Sequence, residues 1–196
     1  MNSTPIIPTV LSFWFRESDS PNHEFPKDFW FHSTPQLDQQ IRDQFELTYQ
    51  KAIQGNLNQF LDTPKGTLTL ILLLDQFPRN MYRGTPQAFV SDPQALKIAK
   101  GALAKGFDQN LLTVQKMFLY LPFQHSENLE DQKKSVELYR ALNDKEGLGY
   151  ALEHHEIILL FGRFPHRNAI LGRQSTPEEI SFLKNSGHSG FGQIMK

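Results

Sequence analysis

The stretch IILLFGRFPHRNAILGR spans residues 157–173 and is the most informative part of the chain. Its five leading residues, Ile157 to Phe161, are all apolar, and a helix that is apolar on every side is a buried one. Pro165 is expected to end this helix, because proline has no N–H to donate and disfavours helical backbone in the residue before it. The stretch therefore predicts a buried helix with a polar cluster at its end, made of Arg163, His166, Arg167, Asn168 and Arg173.

Apolar segments associated with a proline recur along the chain. Their prolines are Pro78, Pro122 and Pro165, with spacings of 44 and 43 residues. The first and last segments are alike in detail, since ILLLDQFP (71–78) resembles ILLFGRFP (158–165). One amphipathic helix is predicted between each successive pair, which is the pattern of stacked helical hairpins such as tetratricopeptide or HEAT repeats. Chance similarity between apolar runs is the alternative explanation.

The rest of the chain also favours helices, and no stretch has convincing strand character. A capping residue next to a proline marks two helix starts, at Thr34-Pro35 and Thr176-Pro177, and Asp92-Pro93 opens another helix. We predict a single all-α domain over residues 1–196, with about seven to eight helices in stacked antiparallel hairpins. The predicted helices cover residues 5–16, 35–54, 67–77, 92–105, 111–123 and 126–143, a segment after Gly147 or Gly149 that ends before Pro165, and 177–184, with a loop over 17–34.

Composition and charge exclude several classes of function. Hydrophobic residues make up 39% of the chain and charged residues 21%, which is ordinary for a globular protein. The net charge of −1 argues against nucleic acids and anionic membranes as partners, because both require a basic surface. The absence of cysteine excludes thiol nucleophiles. There is no signal peptide and no apolar run near the roughly 18 residues of a membrane span, so a cytoplasmic location is expected.

Polar side chains concentrate near the prolines. Five of the eight arginines fall in two short segments, and the planar guanidinium is suited to holding carboxylates or phosphates in a fixed geometry. Because equivalent helices of stacked hairpins run roughly parallel, the three proline-associated ends are expected to lie near one another. The predicted ligand-binding residues are Asp75, Arg79, Asn80, Arg83, His125, Glu127, Arg163, His166, Arg167, Asn168 and Arg173.

Two interpretations of this set differ in whether it binds anything. The simpler one is a structural interlock, in which the arginines cap helix carbonyls and pair with nearby acids. The function that we favour is a pocket for a small anionic molecule. Its predicted parts are Arg79 and Arg167 as a clamp, Asn80 and Asn168 as orienting groups, and Asp75 as the partner of one arginine.

Catalysis and protein binding are two further hypotheses. In an enzyme, His125 or His166 acts as general acid or base beside Asp75 or Glu127, and the arginines stabilise developing negative charge. A module that binds a protein or peptide is the second hypothesis, because helical repeats often bind partners on a concave face. Three hairpins make a short solenoid with little concave surface, and this favours a pocket.

Motifs for metals and cofactors are weak or missing. His125 and Glu127 are suitable metal ligands, as are the neighbours His154 and His155, but adjacent residues on a helix point about 100° apart and do not easily serve one site. There is no HExxH pattern, phosphate-binding loop, dinucleotide fingerprint or serine-nucleophile motif. We therefore predict no metal and no cofactor.

Long segments of the chain resemble a known family. LLLDQFPRNMYRGTPQAF (72–89), FLYLPFQHSENLEDQ (118–132), FGRFPHRNAILGRQSTPEE (161–179) and the N-terminal VLSFWF (10–15) are similar to the bacterial family called domain of unknown function 924. The resemblance extends over nearly the whole chain. It implies an all-α fold similar to the tetratricopeptide superfamily, and it implies no activity, because none is assigned to the family.

Overall fold

Eight helices follow one another in the part of the chain that the computed structural model describes, namely residues 5–15, 30 and 34–185. No strand occurs in that part, so the predicted all-α class is confirmed. None of these helices is long and apolar enough to cross a bilayer. The helices are α1 Ile6–Phe15, α2 Pro35–Ile53, α3 over residues 64–81, α4 Asp92–Ala104, α5 Thr113–Gln124, α6 Leu129–Ala141, α7 Lys145–Phe161 and α8 Pro177–Asn185.

Short 3-10 turns connect several of the helices. They are Asn58–Asp62, Pro86–Phe89, Phe107–Asn110 and Pro165–Arg167. The loop predicted over residues 17–34 falls almost entirely outside the described residues, apart from Trp30 and Thr34.

Side-chain caps fix two of the predicted helix starts, while α4 begins at Asp92 as predicted without a side-chain cap. Thr34 Oγ1 accepts the Leu37 N–H at 3.2 Å, so α2 begins as predicted with its proline at the first position. At α8, Thr176 Oγ1 accepts the Glu179 N–H at 3.2 Å, and Glu179 Oε2 accepts the Thr176 N–H at 2.8 Å, which is a complete capping box. The start of α6 lies later than predicted, because Asn128 supplies the cap.

The core is built around α3. This helix contacts α1, α2, α4 and α5, and its Leu72, Leu73 and Leu74 are fully buried. Aromatic rings fill the space between α3 and its neighbours: the centroid of Trp14 lies 5.4 Å from that of Phe77 and 5.6 Å from that of Phe118. Such ring pairs add to the burial of apolar area, so α3 is the helix on which the others pack.

Pro78 does not end its helix, contrary to the prediction. Helix α3 begins as an α-helix at Pro64–Ile71, widens into a π-helical turn at Leu72–Gln76 and continues as an α-helix over Phe77–Met81. Proline deprives the carbonyl four residues earlier of its usual N–H partner. That carbonyl belongs to Leu74, and it accepts the hydroxyl of Ser91 at 2.6 Å. The helix therefore passes through the proline because a neighbouring side chain replaces the lost donor.

Pro122 also lies inside a helix and not at its end. Helix α5 continues past it to Gln124. Side chains of α6 bond to the carbonyls of this region: Tyr139 Oη donates to the Met117 carbonyl at 2.8 Å, and Gln132 Nε2 donates to the Gln124 carbonyl at 2.7 Å. The prediction that each proline stops a helix is thus wrong here as well.

The third helix end is made by a glycine. Helix α7 begins at Lys145, so that Gly147 and Gly149 lie inside it, and it ends at Phe161. Gly162 follows in the left-handed conformation with φ of 67°, while Pro165 only begins the next 3-10 turn. The prediction that Pro165 ends the helix is therefore wrong.

The apolar run of α7 is only half buried. Ile157 and Ile158 are each 3% exposed, but Leu159 is 60% exposed and Leu160 is 69% exposed. The prediction that the run is buried on every side is therefore wrong. Its counterpart in α3 is buried throughout, so the two similar octapeptides share a sequence pattern and not a structure.

Replacement of Ser91 by alanine should destabilise the protein by about 1–3 kcal/mol, because it leaves the buried Leu74 carbonyl without the donor that Pro78 cannot supply. Urea unfolding followed by circular dichroism measures the change. The matched control is Ser135→Ala, since Ser135 is fully buried and its hydroxyl has no hydrogen-bond partner within the described residues. Equal losses of stability in both variants would contradict the role assigned to Ser91.

Candidate functional site

The three proline-associated segments that were predicted to lie near one another do meet, although the first two prolines lie inside their helices and not at the ends. Asp75 and Arg79 come from the second half of α3, His125 caps the C-terminus of α5, and Arg167 lies in the 3-10 turn after α7. Asp92, the first residue of α4, joins them. We call these five residues the central cluster.

Asp75 is the buried anion of the central cluster. Its side chain is fully buried, and its carboxylate lies 2.7 Å from His125 Nδ1 and 3.3 Å from Arg79 Nη1, with a further hydrogen bond from Gln76 Nε2. Burial raises the pKa of this carboxyl, but Arg79 and His125 outweigh burial and hold the pKa well below its usual range. Asp75 is therefore charged at neutral pH.

Arg79 is fully engaged by acids. Its Nη1 and Nη2 donate to Asp92 Oδ1 and Oδ2 at 2.8 and 2.9 Å, and Nη1 also donates to the Asp75 carbonyl at 2.6 Å. Burial lowers the pKa of the guanidinium, but Asp75 and Asp92 outweigh burial, so the net pKa is raised. Arg79 binds two elements of the protein together and is occupied by protein carboxylates.

His125 contacts both Asp75 and Arg167. Its ring Nδ1 faces Asp75, while its backbone carbonyl accepts Arg167 Nη1 at 3.1 Å. Burial and the Arg79 cation lower the pKa of His125 despite the Asp75 carboxylate, so the ring is neutral at pH 7. Because Asp75 is an ionised acceptor, the Nδ1 nitrogen carries the proton and donates it, and Nε2 holds the lone pair.

Arg167 is buried with few partners. It is 7% exposed, it donates to the His125 carbonyl, and its Nε–H has no partner within the described residues. The nearest carboxylate oxygen belongs to Asp92, at 3.6 Å. The guanidinium carbon lies 4.4 Å from the ring centre of Phe164 and 4.8 Å from that of Phe89. Burial and the nearby Arg79 lower the pKa of Arg167 to about 10.

Two more buried histidines lie beside Arg167. Burial and the Arg167 cation lower the pKa of His166 to about 3, and burial with the nearby His125 lowers the pKa of His154 to about 3. The ring centre of His166 lies 5.5 Å from that of Phe164, and the ring centre of His154 lies 5.4 Å from it. The surroundings of Arg167 therefore include neutral imidazoles and phenyl rings.

Two of the predicted residues form a separate group. Arg83 Nε and Asn80 Nδ2 donate to the two carboxylate oxygens of Asp38, at 2.7 and 2.8 Å. Asp38 lies in the first turn of α2, where the helix dipole favours an acid. These contacts fasten the end of α3 to the start of α2, so Asn80 and Arg83 act here as structural links.

Four further predicted residues tie the segment after α7 to its surroundings. Arg173 forms a two-bond ion pair with Glu127 at 2.7 and 2.9 Å. Arg163 forms a second two-bond pair with Glu179 at 2.7 and 2.9 Å. Asn168 connects the two pairs, since it accepts from Arg173 Nε at 2.9 Å and donates to Glu179 at 3.1 Å.

The acids of these two pairs are strongly held. Hydrogen bonding to Arg163 lowers the pKa of Glu179 to about 2. Glu127 also accepts the Phe164 N–H at 2.8 Å. Burial raises the pKa of Glu127, but the Arg173 hydrogen bond and the Phe164 N–H outweigh it and the pKa is lowered. This network fixes the loop that carries Arg167, and so it positions the central cluster from outside.

Three acids that complete these groups were not among the predicted residues: Asp38, Asp92 and Glu179. Each lies in the first turn of a helix, where an acid is expected as a favourable partner of the helix dipole. An excess of arginine over acid in the predicted set is the signal that would have pointed to them. Among the described residues, no group of three or more histidine, aspartate or glutamate side chains is placed to hold a metal ion.

Comparison with known proteins gives a family and a fold relative. The model of the family DUF924, described as bacterial protein of unknown function, matches residues 10–187. A solved structure of a protein of unknown function from Agrobacterium tumefaciens is 36% identical and superposes with a TM-score of 0.84, over 91% of this chain and 96% of that one. No curated protein matches the chain significantly.

Mild acid should destabilise the protein before its carboxylates titrate. The pKa values of His154 and His166 are about 3 in the folded chain, against about 6.5 in the unfolded chain, so the unfolded chain takes up protons first. The free energy of unfolding is therefore complete above about pH 6.5 and falls below it, by up to about 1.4 kcal/mol per pH unit for each histidine. Urea unfolding at several pH values between about 7.5 and 5 measures this slope.

The variant His154→Leu should flatten the slope, because it removes one of the buried groups that resists protonation. His155→Leu is the matched control, since it removes the neighbouring histidine, which is only partly buried. A free energy of unfolding that stays constant from about pH 7.5 to pH 5 in the unmodified protein would show that these imidazoles are not held neutral.

Proposed function

The chain belongs to the DUF924 family of bacterial proteins of unknown function, and we propose that it binds a small carboxylate or phosphate at Arg167. The observation that carries the proposal is the poor pairing of this buried cation, which donates to a neutral carbonyl and to no carboxylate. An anion would supply the charged acceptor that the protein does not.

The other arginines of the predicted set provide the contrast. Arg79, Arg83, Arg163 and Arg173 each make at least two hydrogen bonds to a carboxylate. Arg167 is more deeply buried than Arg163 or Arg173, yet its nearest carboxylate lies at 3.6 Å. The proposed site thus contains fewer residues than the predicted one. Arg79 already pairs with Asp92, and Asn80 and Asn168 are hydrogen-bonded to other side chains.

The charge of Arg167 favours an anion as the ligand. An unpaired buried donor lowers the free energy of unfolding by about 1–3 kcal/mol, and by more when it is charged. A ligand that accepts the Nε–H of Arg167 would therefore stabilise the folded protein. The nearby acids do not compete strongly, since Asp75 and Asp92 are already held by Arg79. The rings of Phe89 and Phe164 lie against the guanidinium carbon, so an anion would have to approach Arg167 at the edge of the guanidinium.

Sodium phosphate and sodium formate should raise the melting temperature of the protein, and the variant Arg167→Met should lose this effect. Methionine keeps much of the length and the apolar packing between the rings without the charge. A ligand at about 100 times its dissociation constant adds about 2.7 kcal/mol to the native state, which is a shift of several degrees for a chain of this size. Differential scanning fluorimetry at constant ionic strength, with chloride as the reference anion, measures the shift.

Arg83→Met is the matched control, because it removes an arginine that already has its carboxylate partner. It should melt earlier but keep the full response to phosphate and formate. Equal responses in the unmodified protein and in Arg167→Met, or no response to either anion, would rule out an anion site at Arg167.

A further inference from the structure

Anion binding at Arg167 gives no role to one nitrogen of the central cluster, His125 Nε2. His125 uses Nδ1 for Asp75 and its carbonyl for Arg167, while no hydrogen bond to its Nε2 is found among the described residues. The side chain is 14% exposed. A neutral imidazole with a lone pair on Nε2 is the arrangement of a general base.

Asp75 fixes that imidazole. Its carboxylate is fully buried and is itself held by Gln76 and Arg79. These contacts fix the orientation of the carboxylate, and the carboxylate in turn fixes the orientation of the His125 ring through the 2.7 Å contact to Nδ1. A buried carboxylate on Nδ1 selects the tautomer with the lone pair on Nε2 and stabilises the imidazolium when Nε2 takes a proton. His154 differs in this respect, because its Nδ1 faces the Tyr150 carbonyl of its own helix, which is a neutral acceptor.

We propose that Asp75 and His125 form a proton-transfer pair in which His125 Nε2 acts as the base toward the anion bound at Arg167. The inference rests on the proposed function, because the anion is its substrate. Arg167 and the pair are joined directly, since Arg167 donates to the backbone carbonyl of the same His125. In this arrangement Asp75 is a positioning residue and His125 is the catalytic one.

The chemical step is the removal of a proton from a hydroxyl group of the ligand, or from a water molecule beside it. The O–H bond breaks, its electron pair stays on the oxygen, and a new N–H bond forms at His125 Nε2. The negative charge that develops on oxygen lies near the Arg167 cation, and the imidazolium lies against Asp75. When His125 Nε2 gives the proton back to that oxygen, the N–H bond breaks and the O–H bond forms again, so the pair ends unchanged and no oxidant or reductant is needed.

The proposal is tested by the reactivity of His125 toward diethylpyrocarbonate, which acylates unprotonated imidazole nitrogens. Mass spectrometry of peptides from the full chain gives the rate at each histidine, with the partly buried His155 as the internal reference. We expect His125 to react faster than the buried His154, and both phosphate and formate to slow the reaction at His125 alone. Arg167→Met should abolish this protection.

Asp75→Asn tests the positioning role. The amide can donate to Nδ1 and thereby move the imidazole proton to Nε2, so the rate at His125 should fall by at least about tenfold relative to His155. Nitrogen-15 NMR of labelled histidine in the unmodified protein reports the tautomer directly and stands if the variant does not fold. A His125 found with its proton on Nε2 would overturn the proposal.

The two proposals fail in different ways. If phosphate and formate raise the melting temperature through Arg167 but His125 is as inert as His154, the anion site stands and the proton-transfer pair is wrong. If His125 is reactive but neither anion protects it, the base does not act at Arg167 and the inference is also wrong. Protection by both anions that depends on Arg167, together with a rate at His125 that depends on Asp75, is the result that supports it.

Discussion

The buried charge of Asp75 is the constraint on which the centre of this protein depends. A carboxylate without access to water is costly unless charged and hydrogen-bonded partners surround it. Here the partners are Arg79 and Gln76 from α3 and His125 from the end of α5. The acid lies within the π-helical turn of α3, and such turns recur at functional sites. The π-helical turn, a rare backbone feature, therefore carries Asp75. Among the charged side chains of the central cluster, Asp75 is the carboxylate that is completely buried.

The arginines around Asp75 follow the same requirement that a buried charge has a partner of opposite charge. Four of the five arginines in the predicted set are each matched to an acid: Asp92, Asp38, Glu127 or Glu179. These pairs join helices or fix the loop after α7, as the structural interlock predicts. Arg167 is the exception, because it donates to a backbone carbonyl. The structural interlock and the proposed anion site thus do not exclude each other, since the proposal assigns them different arginines.

Much of the architecture follows from local signals in the sequence. The helix starts at Thr34 and Thr176 were predictable because a capping side chain followed by proline is a typical helix start. The meeting of the proline-associated segments was predicted from an assumed parallel stacking of hairpins. The prolines themselves misled the prediction, because a donor such as Ser91 comes from a distant part of the chain. The acidic partners of the arginines were missed for a similar reason: a first-turn acid looks like a cap, and only the folded chain shows that it also pairs. The superhelical arrangement of the hairpins stays a prediction.

The two similar octapeptides show how one position changes the outcome. Asp75 in ILLLDQFP corresponds to Gly162 in ILLFGRFP. Glycine adopts the left-handed conformation more readily than aspartate does, so α3 widens and continues where α7 stops with φ of 67°. Continuation keeps Asp75 inside the core. Termination at Gly162 releases the chain into the turn that brings Arg167 against His125. Asp75, His125 and the poorly paired Arg167 meet because these two segments, alike in sequence, end differently.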